Sequence, residues 1–348
     1  MTVYTLRPDT RAHAEPGHPE RPERTAAIAD RLDADPVLGD ARRQGQLVQL
    51  PDAPEVTPEA LGRVHAAEYI DRLDALIDRG GGRWDEDTYV TPASLRVARE
   101  ACGDLLACVD AVMGRQAANA FALGRPPGHH ARPASAMGFC LVSNVAVAAR
   151  HAQAVWGARR ILVVDMDVHH GNGTEEAFAD DPSVVVFTSQ QAGLWPGTGL
   201  AEDVGTGTGR GATVNLPVPE GTGDAGLVGA YRRLLPPLAA RVQPDLVLLS
   251  AGYDAHHLDP LAGLNLSVTG LTDLVRVVAE VADATAGGRL VASLEGGYDV
   301  DALSYGVAST LRVLLDRTAE ASDPLGPPLA DEADASEAVD AVARIHGL

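Results

Sequence analysis

The sequence predicts a single α/β domain, a parallel β-sheet covered by helices on both faces. Three observations point there. Short Val/Leu/Ile-rich runs stop abruptly at Gly, His, Asp or Ser, stretches of helical period lie between them, and no linker or break in composition divides residues 1–316. In chain order, a helical stretch over Ser94–Met113 leads to the apolar run Ala120–Leu123, which is too short for a helix and ends at Gly124. Helical period over Val142–Val155 precedes Ile161–Val164, and Val184–Phe187 follows as the next buried strand. A third helix over Ala225–Val242 precedes Asp245–Leu249, and a fourth over Val268–Ala286 precedes Leu290–Leu294. Residues 317–348 read as a Pro- and Gly-containing loop and a short helix, Ala335–Ile345. Val339, Val342 and Ile345 share one face of it, so the helix is expected to dock on the same domain.

Composition narrows the function. At 348 residues and 45% hydrophobic the chain can bury a large core, and its 36 Gly and 23 Pro follow no period that would signal a collagen-like or low-complexity chain. A formal net charge of -20 opposes sequence-independent attraction to nucleic-acid phosphates, so no direct nucleic-acid partner is expected. All 28 basic residues are Arg, a usage that GC-rich, bacterial coding explains. Three cysteines, Cys102, Cys108 and Cys140, are too few for a disulfide framework and suit a reducing compartment. Met1–Asp30 has no apolar signal core, and no stretch is apolar over the roughly 18 residues that a membrane span needs, so a cytoplasmic protein is expected.

The chemistry is densest at Val164–Gly173. Asp165, Asp167 and His169 stand at i, i+2 and i+4 after an apolar strand, and an extended chain would project all three from one face. Such groups are costly to bury unpaired, and with no Lys and no nearby Arg except Arg159 and Arg160 at the strand's far end, a divalent metal is the economical compensation. Asp254, in Ser250–His257, offers a third ligand from another strand end. Asp167, His169 and Asp254 would then leave an open coordination position, as catalytic rather than structural metal sites do. A third strand end presents His129 and His130 after Gly124–Gly128, and a fourth, Leu294–Tyr298, ends in a phenol. Four strand ends thus converge on one sheet edge, where open parallel sheets bind ligands.

These residues resemble the zinc-dependent histone deacetylase and acetylpolyamine amidohydrolase superfamily, in the style of its class II branch and bacterial members. The resemblance runs from His18–Arg24 to Tyr298 through Arg125–His130, Gly138–Cys140, Asp165–Gly173, Pro196–Gly199, Asp254 and Glu295–Tyr298. It implies the arginase/deacetylase α/β fold with about eight parallel strands, and hydrolysis of an acylated amine with one zinc ion per chain. His130 would be general base and then acid, with Asn172 as its partner, and His129, paired with Asp165, would act electrostatically. Tyr298 would donate to the oxyanion. Gly138, Phe139 and Trp195 would line the acyl tunnel, Trp195 departing from the usual Phe or Tyr, and Leu261 would lie at its rim, where a polyamine-selective relative has a glutamate. The resemblance also implies a structural potassium ion held by Asp165, Asp167, His169 and Ser189, with an outer site over Phe178–Val184.

Acyl-lysine in proteins or peptides is the expected substrate, with an acetylated polyamine or other small amide as the alternative. Self-association stays open. A dinuclear manganese ureohydrolase on the same fold is disfavoured because His129 and His130 occupy the catalytic edge, and a silent acyl-binding module is disfavoured because every catalytic position is filled. Asp87 reads either as a substrate anchor or, more simply, as a solvated loop residue. His13 and His18 are placed at the tunnel rim, and His65, His151, His256 and His257 are read as surface or packing residues.

Overall fold

The computed structural model describes residues 1–7, 10–328 and 330–348. Ten strands form: β1 (Thr2–Leu6), β2 (Leu47–Gln49), β3 (Gly82–Arg83), β4 (Tyr89–Val90), β5 (Asn119–Leu123), β6 (Ile161–Asp165), β7 (Val184–Gln191), β8 (Thr213–Val218), β9 (Leu246–Ala251) and β10 (Leu290–Leu294). Eight make one sheet, in the order β2-β1-β5-β10-β9-β6-β7-β8, with every pairing parallel; β3 and β4 form a separate antiparallel ribbon.

Alternation along each central strand feeds two cores. In β6, Leu162 and Val164 join a cluster with Leu234, Leu274 and Leu311, while Ile161 and Val163 join another with Val109 and Val145. One face is covered by helices Asp224–Val242, Val268–Thr285 and Val300–Leu315, the other by Ser94–Met113 and Asn144–Trp156. Strands buried on both faces read as unbroken apolar runs, which is why these five were visible in the sequence.

The outer strands β1, β2 and β8 were not anticipated, nor was the helix Val300–Leu315. β2 has only three residues, and Tyr4 of β1 and Asn215 of β8 place polar groups within their strands. Helix Ser336–His346 packs on β8, burying Val339 and Val342, and Arg241 Nη1 donates to the His346 carbonyl at 2.6 Å. β5, β10, β9 and β6 are consecutive at the sheet's centre, so the loops that leave their C-terminal ends are neighbours.

Candidate active site

β6 ends at Asp165, and the residues beyond it do not continue as a strand. Instead, successive carboxylates bond the amide two residues on: Asp167 N–H donates to Asp165 Oδ1 at 3.1 Å, and His169 N–H to Asp167 Oδ1 at 3.0 Å. This corrects the expectation of one extended face. The turns send Asp165 behind the site and Asp167 and His169 into it. Asp254 arrives from the end of β9, its Oδ1 accepting from Val168 N–H at 3.1 Å.

Asp167, His169 and Asp254 each bring one ligand atom into a group whose atoms lie within 4.8 Å of one another, the one such group among the described residues. His169 Nδ1 lies 3.2 Å from Asp167 Oδ1 and 3.2 Å from Asp254 Oδ2. Burial resists charging this imidazole, but the two carboxylates push its pKa up to about 10, and burial with the Asp167 charge raises Asp254. Two buried carboxylates that draw a proton onto the imidazole between them form a group that could hold a cation, and a divalent ion would compete with that proton. Gly252 and Gly296 make room: a Cβ at either would come within 2.2 Å of Asp167 Oδ2 or 2.0 Å of Asp254 Oδ2.

The histidine pair stands above this group with ring centroids 3.8 Å apart. His129 Nδ1 is 3.1 Å from Asp165 Oδ2, and His130 Nδ1 is 2.8 Å from Asn172 Oδ1. Asn172 uses its amide nitrogen toward Met137 Sδ, so its oxygen faces His130 and that imidazole carries its proton on Nδ1, leaving Nε2 as the basic nitrogen. Burial opposes charge on both rings. For His129 the Asp167 and Asp165 carboxylates override it and hold the ring charged, whereas for His130 burial and the charges of His129 and His169 act together and keep it neutral.

The cavity over these groups has a volume of about 190 Å³ and is lined by His130, His169, Gly138, Phe139, Trp195, Leu261 and Tyr298, with Leu194 and Asp87. Phe139 and Tyr298 meet edge to face at 5.7 Å, and Trp195 meets the His130 ring edge to face at 4.8 Å while remaining 39% exposed. Gly138 adopts φ +54°, and a side chain there would strike both the His130 ring and Trp195, at 2.5 and 2.6 Å. Burial raises the Tyr298 phenol well above its ordinary range, so it stays protonated. Asp87, half-buried in the bend between β3 and β4, lines the cavity.

Other expectations also shift. His13 and His18 are buried beneath the rim rather than on it: His13 Nε2 is 3.4 Å from Glu20 Oε2, and His18 packs on Phe139. His170 turns away from its neighbour, held by Thr198 Oγ1 at 2.7 Å and Glu175 Oε2 at 3.0 Å. Ser189 Oγ and the Tyr231 hydroxyl lie 2.8 Å apart and share the Asp165 carbonyl, 3.4 Å from each, so one hydroxyl donates to the other and the second to the carbonyl.

A supporting layer, most of it within the motif segments His18–Arg24, Arg125–His130 and Glu295–Tyr298, was given no role by the sequence. Arg125 forms a two-point ion pair with Glu20, at 2.7 and 2.6 Å, and binds the carbonyls of Thr10 and His13, all fully buried. Arg24 donates to the Gly297 carbonyl at 2.7 Å and the Glu295 carbonyl at 2.5 Å, which fixes the loop that bears Tyr298. Glu295 accepts from the Gly128 and His129 amides at 2.7 and 3.1 Å, and burial pushes its pKa up to about 7. Asp259 accepts from Tyr298 N–H at 2.7 Å.

The histone deacetylase domain family matches residues 18–314. The chain is 38% identical over 313 residues to the histone deacetylase-like amidohydrolase of Pseudomonas aeruginosa, covering 90% of this chain and 80% of that one. It is 40% identical over 342 residues to the human polyamine deacetylase HDAC10, covering 92% of this chain and 48% of the longer relative. The crystal structure of the HDA15 HD domain superposes with a TM-score of 0.87 at 34% identity, over 99% of this chain and 94% of that one. The central parallel sheet, the site at its C-terminal edge and these relatives agree: the chain belongs to the histone deacetylase family, hydrolases that cleave amide bonds.

Proposed function

We propose that the protein is a zinc-dependent deacylase that releases acetate or a related acid from an acylated amine, with acyl-lysine in proteins or peptides as its substrate. The observation that carries this reading is the cation-ready group of Asp167, His169 and Asp254 at the floor of a narrow cavity, walled by Phe139 and Trp195. An acyl-lysine stem is an apolar rod with one polar end, which such walls suit. Leu261 at the rim adds apolar surface rather than a charge to attract a free amine.

Zinc held by Asp167, His169 and Asp254 would polarise the acyl carbonyl and acidify a water molecule. His130, neutral and with Nε2 free, accepts the water's proton and passes it to the leaving nitrogen. His129, kept charged by Asp165 and Asp167, lends a fixed positive field. Tyr298 donates its hydroxyl hydrogen bond as the carbonyl oxygen gains negative charge. A structural potassium ion beside Asp165, Asp167, His169 and Ser189 is supported by hard oxygen donors, the Asp165 carbonyl and the Ser189 hydroxyl. Three free, buried cysteines support a reducing, cytoplasmic setting, and among the described residues no helix is long and apolar enough to cross a membrane.

Asp87 at the cavity and the strongly acidic surface favour a second reading, deacetylation of a polyamine, the chemistry of the human relative's name. A fluorogenic acetyl-lysine peptide and an acetylated spermidine, each assayed with and without a chelator, decide between them. Chelator-sensitive turnover of the peptide at the higher kcat/KM supports acyl-lysine. Preference for the spermidine overturns that choice, and chelator-insensitive turnover, or none of either substrate after zinc loading, overturns the metal mechanism.

A further inference from the structure

At the opposite edge of the sheet from the active site, the N-terminal ends of β6, β7 and β8 frame a second cavity of about 450 Å³. β7 is eight residues long, so the two edges are roughly 25 Å apart at about 3.3 Å per residue. Arg160 enters from the start of β6, Arg210 from the loop before β8, and Arg241 from the end of helix Asp224–Val242, while the C-terminal helix contributes Ile345 and His346.

In a chain with 48 acidic residues and 28 basic ones, three guanidinium groups around one cavity would be expected to meet carboxylates. Among the described residues none of the three is in a direct ion pair; the one carboxylate near them, Asp245, accepts from the Arg160 backbone N–H at 3.0 Å and feels the Arg160 charge, while Arg210 and Arg241 have no such neighbour. Nearby Arg150, by contrast, pairs with Asp181 at 2.5 Å. Arg160 Nε donates to the Gln243 carbonyl at 2.9 Å and Arg241 Nη1 to the His346 carbonyl at 2.6 Å, which caps two helix ends with one nitrogen from each group. A guanidinium has five N–H donors, so capping leaves most of them without a protein acceptor. His346 lines the same cavity, and burial together with the Arg241 charge lowers its pKa.

Three forked cations around one cavity ask for a compact anion with several oxygens. Guanidinium forks match phosphate oxygens two at a time, and the repulsive field of the distant acidic residues is screened beyond about 10 Å in ordinary salt. A cavity of this size suits a small molecule rather than a macromolecular surface. We propose that this basin is a binding site for a small phosphate-bearing anion, separate from the deacylase site and seated between the sheet edge and the C-terminal helix.

Calorimetric titration of the full-length protein with pyrophosphate, at constant ionic strength, tests it. One saturating site per chain is expected, with inorganic phosphate binding more weakly at the same place. Arg210 is exposed and makes no side-chain hydrogen bond among the described residues, so Arg210→Ala should fold normally and bind pyrophosphate about tenfold or more weakly, and Arg210→Glu should abolish binding. Heats that do not saturate, or that chloride reproduces at equal ionic strength, mean an adventitious ion only and overturn the proposal. So does wild-type affinity in both Arg210 variants.

Discussion

His129 and His130 are neighbours in the chain, both imidazoles and both buried, yet their surroundings drive them to opposite charge states. The region around His129 holds Asp165 and Asp167, which offset the cost of burying a cation; His130 is hydrogen-bonded only to the neutral Asn172, and burial with the repulsion of His129 and His169 outweighs the attraction of Asp167. The difference teaches that a base is made here by denying a histidine a carboxylate hydrogen-bond partner, and that the rejected charge is placed one residue away.

The contrast breaks most plainly at the rings. His130→Ala is expected to lose about 100 to 10,000-fold in kcat with zinc content unchanged, and His129→Ala to lose clearly less; equal losses, measured on zinc-quantified protein, would show the division of labour to be wrong. Next in size is Tyr298→Phe, which keeps both rings and the ligand group but removes the oxyanion donor. About 100 to 1000-fold in kcat should go, and wild-type turnover in that variant would refute its role.

A subtler change converts one environment into the other. Asn172→Asp sets a carboxylate against His130 Nδ1 and favours its protonated form, so the acidic limb of the kcat/KM profile should move up by about one to two pH units. An unmoved limb would mean that some other group sets it.

The smallest effect concerns a third buried imidazole, which has hydrogen bonds but no carboxylate. His65 Nε2 accepts from Ser143 N–H at 2.9 Å, Nδ1 lies 3.2 Å from the Arg132 carbonyl, and burial lowers its pKa to about 4. Between about pH 4 and 6.5 the unfolded chain binds the proton and the folded protein does not, so stability is full above that window and is lost as the pH falls through it. The total approaches about 3 kcal/mol. His13 and His256 are lowered by burial as well, so the His65 share is the difference between wild type and His65→Phe in urea unfolding at pH 7 and pH 5; an unchanged dependence in that variant would assign the loss elsewhere.

Much of the site was legible because chemistry and strand ends coincide in the chain. Asp167, His169, Asp254, His130 and Tyr298 each follow an apolar run within a few residues, and four such runs occupy the centre of the sheet. The supporting layer was hidden for the opposite reason. Arg125 meets Glu20 across 105 residues, and Arg24 reaches the Glu295 carbonyl across 271, so no local pattern marks either pair. The rim histidines were misplaced on the same account: His13 and His18 are polar residues in a loop, and only the packing of Tyr89 and Phe139 against them shows that they are inside.

Local order of residues alone settled the alternation of strand and helix, the residue types at the catalytic edge and the absence of any lysine, since these depend on periodicity and composition. Tertiary structure alone decided how burial and neighbouring charges hold His129 charged and His130 neutral, which way the Asp165–His169 turns aim their carboxylates, and that three arginines share a basin at the far edge. Charge state and aim depend on neighbours brought close by folding, and distance along the chain does not record distance in space.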